Sequence, residues 1–106
     1  MTPEISLSKE NVEKAIKEVM HPEITMSLVD LGIATVKEVN NNKVLFEIAI
    51  PFPQVPELII NIFKRDLTAA VKKDFPVATI DFTLRIMTEE EQQRFLKSEQ
   101  ENWKGL

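Results

Sequence analysis

The sequence predicts a two-layer α+β domain, ordered α-β-β-α-β-α, with a small three-stranded mixed sheet and helices on one face. Three stretches carry that reading. Val44, Phe46, Ile48 and Ile50 alternate with Lys43, Leu45, Glu47 and Ala49, and a proline loop then feeds a helical stripe. Asn40-Asn41-Asn42 stands directly before that strand as a turn signal, since Asn tolerates left-handed backbone. Ile80, Phe82, Leu84 and Ile86 alternate with Thr79, Asp81, Thr83 and Arg85. Period two is the mark of a strand with one face on a core.

Taken in order, residues 1–7 read as a loose lead-in. Ser8 is a candidate N-cap, and Val12, Ala15, Ile16, Val19 and Met20 form an apolar stripe, which predicts a helix over about 9–20. His21-Pro22-Glu23 stops it, because the residue before a proline disfavours helical backbone. Gly32 reads as a turn or bulge leading into a first strand over Ile33 to Val39, where the adjacent Lys37 and Glu38 break the alternation. The Asn turn closes a hairpin onto the strand at 43–50.

Pro51-Phe52-Pro53-Gln54-Val55-Pro56 follows. Each proline fixes its own φ and biases its predecessor toward extended backbone, so the loop is stiff for its length. Pro56 suits the first position of a helix. That second helix is predicted over about 56–73, on the stripe Ile59, Ile62, Phe63, Leu67 and Ala70, broadened by Leu58, Ile60 and Val71. Phe75-Pro76 ends it, and the strand at 79–86 then completes a parallel βαβ unit. Thr88 with Glu91 forms a capping box, which predicts a third helix over about 89–100. Its apolar content is thin, Phe95 and Leu96 with Trp103 beyond, so it reads as peripheral or partner-bound, and Trp103 as a core lid or part of an interface.

At 106 residues the chain reads as one domain, with a core over about 9–97 and a loose tail at 101–106. A net charge of −4 disfavours nucleic acid or an anionic membrane as the main partner, since both need clustered Lys and Arg. No apolar run is long enough for a transmembrane helix, and Met1-Thr2-Pro3-Glu4-Ile5 lacks the basic and apolar regions of a signal peptide, which makes the cytoplasm the expected location. With no cysteine there is no disulfide, thiolate nucleophile or Cys-ligated metal or iron–sulfur cluster. With two glycines there is no glycine-rich phosphate loop. The reading assigns no catalytic residue and no cofactor.

The order of elements, Pro22-Glu23 after the first helix, Val29-Asp30-Leu31-Gly32-Ile33, the strand-to-proline loop with Pro56, and the ending Ile86-Met87-Thr88-Glu89-Glu90 together resemble the small domain of iron–sulfur cluster assembly factors. That domain occurs alone in SufT-like and PaaD-like proteins and at the N-terminus of Mrp-type ATPases, and the Met87-Thr88-Glu89-Glu90 ending looks most like the last branch. The resemblance covers about residues 9–97. It departs from the family at three points. His21-Pro22-Glu23 replaces the family's Asp-Pro-Glu, Pro51 stands where its loop Thr falls, and Val55 stands where its Cys falls. A thiol at the start of the second helix would be acidified by unpaired N–H groups and the helix dipole. Val55 offers no such chemistry, and Glu57 adds negative charge.

The resemblance therefore implies a non-catalytic adaptor in iron–sulfur cluster assembly or delivery, working by protein contacts with assembly factors or an Mrp-type ATPase. The candidate contact residues are Glu23, Asp30, Pro51, Phe52, Pro53, Val55 and Pro56. Phe52 reads equally as a rigid aromatic anchor for a partner or as a loop residue folded back over the third helix. Asp30 reads as the family's acidic anchor or as a structural Asp accepting N–H groups near Gly32. Pro53-Gln54-Val55-Pro56 spells a PxxP pattern that a folded loop makes coincidental. Two other classes stand beside the adaptor. One is a cysteine-less interaction module, homodimeric through an exposed sheet edge or face, that kept the fold and not the iron–sulfur role. The other is a metal-dependent enzyme using His21, Glu23 and Asp30.

Overall fold

The computed structural model describes residues 7–103, with α1 over Lys9–Ile16, β1 over Ala34–Asn40, β2 over Lys43–Ile50, α2 over Glu57–Asp74, β3 over Thr79–Ile86 and α3 over Glu89–Asn102. The order α-β-β-α-β-α is the one the sequence predicts. Most of the predicted lead-in, and residues 104–106 of the predicted tail, lie outside the described residues. Leu7 packs against the core, and α3 runs through Asn102, so the predicted loose tail does not begin at 101.

Ser8 caps α1, its Oγ accepting from the Asn11 N–H at 3.1 Å. The helix ends at Ile16, a turn before the predicted Met20. Met20 instead pairs antiparallel with Ser27, and Leu28 N–H donates to the Val19 carbonyl at 2.9 Å. That pairing needs extended backbone at Met20, next to the extended bias that Pro22 imposes on His21, so the chain unwinds early. Met20 is left 43% exposed, outside the core the helical stripe assigns it to.

β1 and β2 pair antiparallel from Ala34↔Ile48 to Asn40↔Lys43. Asn41 at the turn adopts φ 55°, the left-handed conformation the Asn run anticipates. The register shifts between Val36 and Glu38, so Lys37 sits in a bulge, which accounts for the broken alternation there. β2 and β3 pair parallel without interruption from Lys43↔Thr79 to Ile50↔Ile86. The sheet order is β1-β2-β3, with β2 central.

Val44, Phe46 and Ile48 of β2 are fully buried, with Val12 and Ile16 of α1 and Phe63, Leu67 and Val71 of α2 in the same cluster. β3 corrects a sequence expectation. Its apolar face is only half covered, with Ile80 and Phe82 partly buried and Leu84 and Ile86 at 44% and 46% exposure. The reason is position: α2 covers the central strand, and at the edge strand Lys64 of α2 lies over the Phe82 ring at 5.9 Å. Phe82 in turn stacks on Phe46 at 5.6 Å.

Candidate functional site

The proline loop is pinned at both ends. Pro51 is buried and its carbonyl accepts from Gln92 Nε2 of α3 at 2.8 Å. Val55 N–H closes a turn onto the Phe52 carbonyl at 3.3 Å. The Pro56 carbonyl accepts from the N–H groups of Ile59 and Ile60 at 3.0 and 3.2 Å. Pro56, at φ −59° and ψ 139°, is thus the N-cap of α2 rather than its first helical residue, and Val55 lies just outside the helix. A proline there gives no side-chain cap, and the first turn of α2 is tied to the loop through that carbonyl.

α3 is held at both ends across this loop. At its start the Thr88 hydroxyl accepts from the Glu91 N–H and Glu91 accepts from the Thr88 N–H, the capping box the sequence predicts. Arg85 of β3 donates to both Glu91 oxygens at 2.7 and 2.8 Å and to Glu47 of β2 at 2.7 Å, with Lys37 3.5 Å from Glu47. Arg85 and the Thr88 backbone hold the Glu91 carboxyl down at about 2, and Arg85 lowers Glu47 in the same way. At its other end the Asn102 carbonyl accepts from the Thr25 N–H at 2.8 Å, and Trp103 pairs with Ile24. Trp103, 43% exposed, is tied by its backbone.

Between the loop, the segment around His21 and α3 lies a cleft of about 330 Å³. Its floor is Ile33, Phe63 and Phe95, all nearly fully buried, and Phe52, Val55 and Ile59 form apolar walls. His21, Glu23, Gln54 and Glu99 supply polar groups. The two readings of Phe52 meet here, since it is half-buried in a cleft that α3 helps to line.

His21 is buried, its ring 5.3 Å from Phe63 and tilted by 55°. Its Nδ1 accepts the Glu23 N–H at 2.9 Å, which makes Nε2 the protonated nitrogen of the neutral ring. Because α1 ends at Ile16, His21 does not sit at a helix C-terminus.

The structure brings Glu23, Pro51, Phe52, Val55 and Pro56 together around the cleft and leaves two predicted residues out. Pro53 is exposed and lines no part of it. Asp30 lies in a separate depression of about 140 Å³ with Gly32, Met87, Glu91, Arg94 and Ser98. The turn there is stabilised by Ser27, whose Oγ accepts the Asp30 N–H at 3.0 Å, so the side-chain acceptor is Ser27 and not Asp30. Phe95 and Glu99 of α3 also line the cleft, and the sequence does not mark them as site residues. Their spacing of four, continued at Asn102, puts them on one helical face, which is the available signal.

Among the described residues no three His, Cys, Asp or Glu side chains gather into a metal-binding group, so His21, Glu23 and Asp30 do not form the set the enzyme reading needs. With no thiolate and one imidazole whose Nδ1 is taken, the donors present do not fit an iron–sulfur cluster. Among the described residues no helix is long and apolar enough to cross a membrane.

The model of a family described as iron–sulfur cluster assembly protein matches residues 9–82, from the start of α1 into β3. A crystal structure of a domain of unknown function, DUF59, from Bacillus anthracis is similar with a TM-score of 0.64, covering 84% of this chain and 87% of that one at 17% identity. At that identity the likeness is one of fold. No curated protein matches the chain.

Proposed function

The chain belongs to the iron–sulfur cluster assembly protein family, and from that premise we propose that it is a non-catalytic adaptor, serving cluster assembly or delivery by protein contacts at the cleft. What supports the reading is one conjunction. A cleft with an apolar floor, walled by a stiff proline loop and a doubly anchored helix, occurs in a chain that has no cysteine with which to hold a cluster. Aromatic residues, Phe among them, are enriched at the cores of protein contacts, and a residue held on a stiff loop costs less to order on binding. Phe52 is the anchor in this account, and Glu23 and Glu99 in the same cleft favour a partner that brings a basic residue as well as an apolar one. The cluster itself is cargo and stays on the thiolates of the partner. Assembly factors, an Mrp-type ATPase among them, are the partners the reading names.

The experiment is an anaerobic co-purification from the native host with the intact chain and with Phe52→Ala. Recovery of cluster-assembly proteins with the intact chain and their loss with Phe52→Ala is the expected result. Recovery of none, or equal recovery with both, contradicts the reading.

A further inference from the structure

The two edges of the sheet are built differently. β1 carries the bulge at Lys37, and a bulge is a device that keeps an edge strand from pairing with another chain. β3 has neither a bulge nor a proline over its length from Thr79 to Ile86, and its register with β2 is unbroken. The N–H groups of Thr79 and Met87 donate back to the Asn42 and Ile50 carbonyls, so by strand alternation the N–H and C=O groups of Ile80, Phe82, Leu84 and Ile86 point to the open edge. Leu84 and Ile86 are exposed on the same strand.

The sequence of β3 is complementary to itself when reversed about Thr83. An antiparallel copy in that register sets Phe82 opposite Leu84 and Ile80 opposite Ile86, as pairs whose outward N–H and C=O groups can bond each other. It also sets Asp81 opposite Arg85 twice and Thr83 opposite Thr83, all favourable cross-strand pairs. Centring on Asp81 or on Arg85 would instead put like charges opposite each other. Arg85 keeps a donor for this: Nε and Nη1 are engaged by Glu47, Glu91 and, at 3.4 Å, the Ile86 carbonyl, which a partner strand would take over, but Nη2 gives only one of its hydrogens to Glu91 and the side chain is 38% exposed.

We propose that a second copy of this chain docks on the free edge of β3, antiparallel and centred on Thr83, to make a twofold dimer with one continuous sheet. The isologous geometry follows from the self-complementarity: the same strand supplies both sides of the contact. No residue of β3 lines the cleft, and the proposal stands independently of the adaptor reading.

The test uses the full chain. Sedimentation equilibrium should give twice the 12.2 kDa chain mass at micromolar concentration. Leu84→Lys, at an exposed position, should give a monomer with unchanged far-ultraviolet circular dichroism. Asp81→Lys should weaken the dimer on the order of tenfold, since it places like charges opposite each other twice. Because the chain has no cysteine, Thr83→Cys introduces a single thiol. Facing Cα atoms at such a pair lie about 4.5 Å apart, within disulfide range. Mild oxidation should therefore link Thr83→Cys chains into covalent pairs and leave Asp81→Cys chains unlinked. A monomer at every concentration, a dimer indifferent to Leu84→Lys, or equal cross-linking of the two cysteine variants overturns the proposal.

Discussion

Arg85 and Glu91 face each other through two parallel hydrogen bonds of 2.7 and 2.8 Å, which fasten the end of β3 to the first turn of α3. Charge-assisted forks of this kind fix geometry as well as adding energy. Here the geometry matters, because α3 supplies Phe95 and Glu99 to the cleft and Gln92 to the proline loop.

The acid limb of stability should depend on this pair. The Glu91 carboxyl lies at about 2 in the folded chain against an ordinary 4.5. Its unfolded form therefore takes up a proton first as the pH falls. The stabilisation is fully present above about 4.5 and is lost as the pH falls through that value toward about 2. Glu91→Gln should be less stable at neutral pH and lose less on acidification across that window. Urea titrations at a series of pH values measure this, and parallel curves for the two proteins would contradict it.

Gly32 holds φ at +78°, and a Cβ there would meet nothing within 4 Å. Its requirement is purely one of backbone. Gly32→Ala should cost about 1–2 kcal/mol in unfolding free energy, the penalty of left-handed backbone for an L-residue. Gly32→Asn should cost less, since Asn tolerates that region. Equal losses for the two substitutions would point to packing instead.

Phe95 and Phe52 line one cleft but should respond oppositely. Phe95 is 4% exposed, so Phe95→Ala should lose about 3–5 kcal/mol of stability. Phe52 is half-buried, so Phe52→Ala should lose about 1 kcal/mol while removing partner binding. Denaturation midpoints beside partner recovery separate the two effects.

The elements that were legible in the sequence are those set by local chemistry. The alternation in β2 and β3, the Asn41 turn, the Ser8 cap and the Thr88–Glu91 box all depend on neighbours a few residues away. The end of α1 depends on Met20 reaching Ser27, a contact that no helical stripe encodes. Alternation in β3 identifies its apolar face but not whether another element covers it, and Leu84 and Ile86 show that little does. At the cleft, the stiffness of the proline loop brought Phe52 and Val55 to attention. Phe95 and Glu99 were hidden because the helix that bears them is mostly polar and its placement rests on Arg85 and Asn102. Asp30 lies apart from the cleft because the turn through Gly32 sets it against Glu91, Arg94 and Ser98, a stripe of α3 different from the one that faces the loop, and sequence spacing does not encode where that turn leads.

The central claim is that this chain serves cluster assembly without holding the cluster. Anaerobic reconstitution with iron and sulfide, read by visible absorption and by iron content per chain, tests it most directly. The account predicts no cluster absorption and no stoichiometric iron after desalting, since the chain has no thiolate and, among the described residues, His21 and the carboxylates do not gather into a group of three. A stable chromophore with stoichiometric iron per chain or per pair of chains would contradict it and would make His21 and the carboxylates ligands.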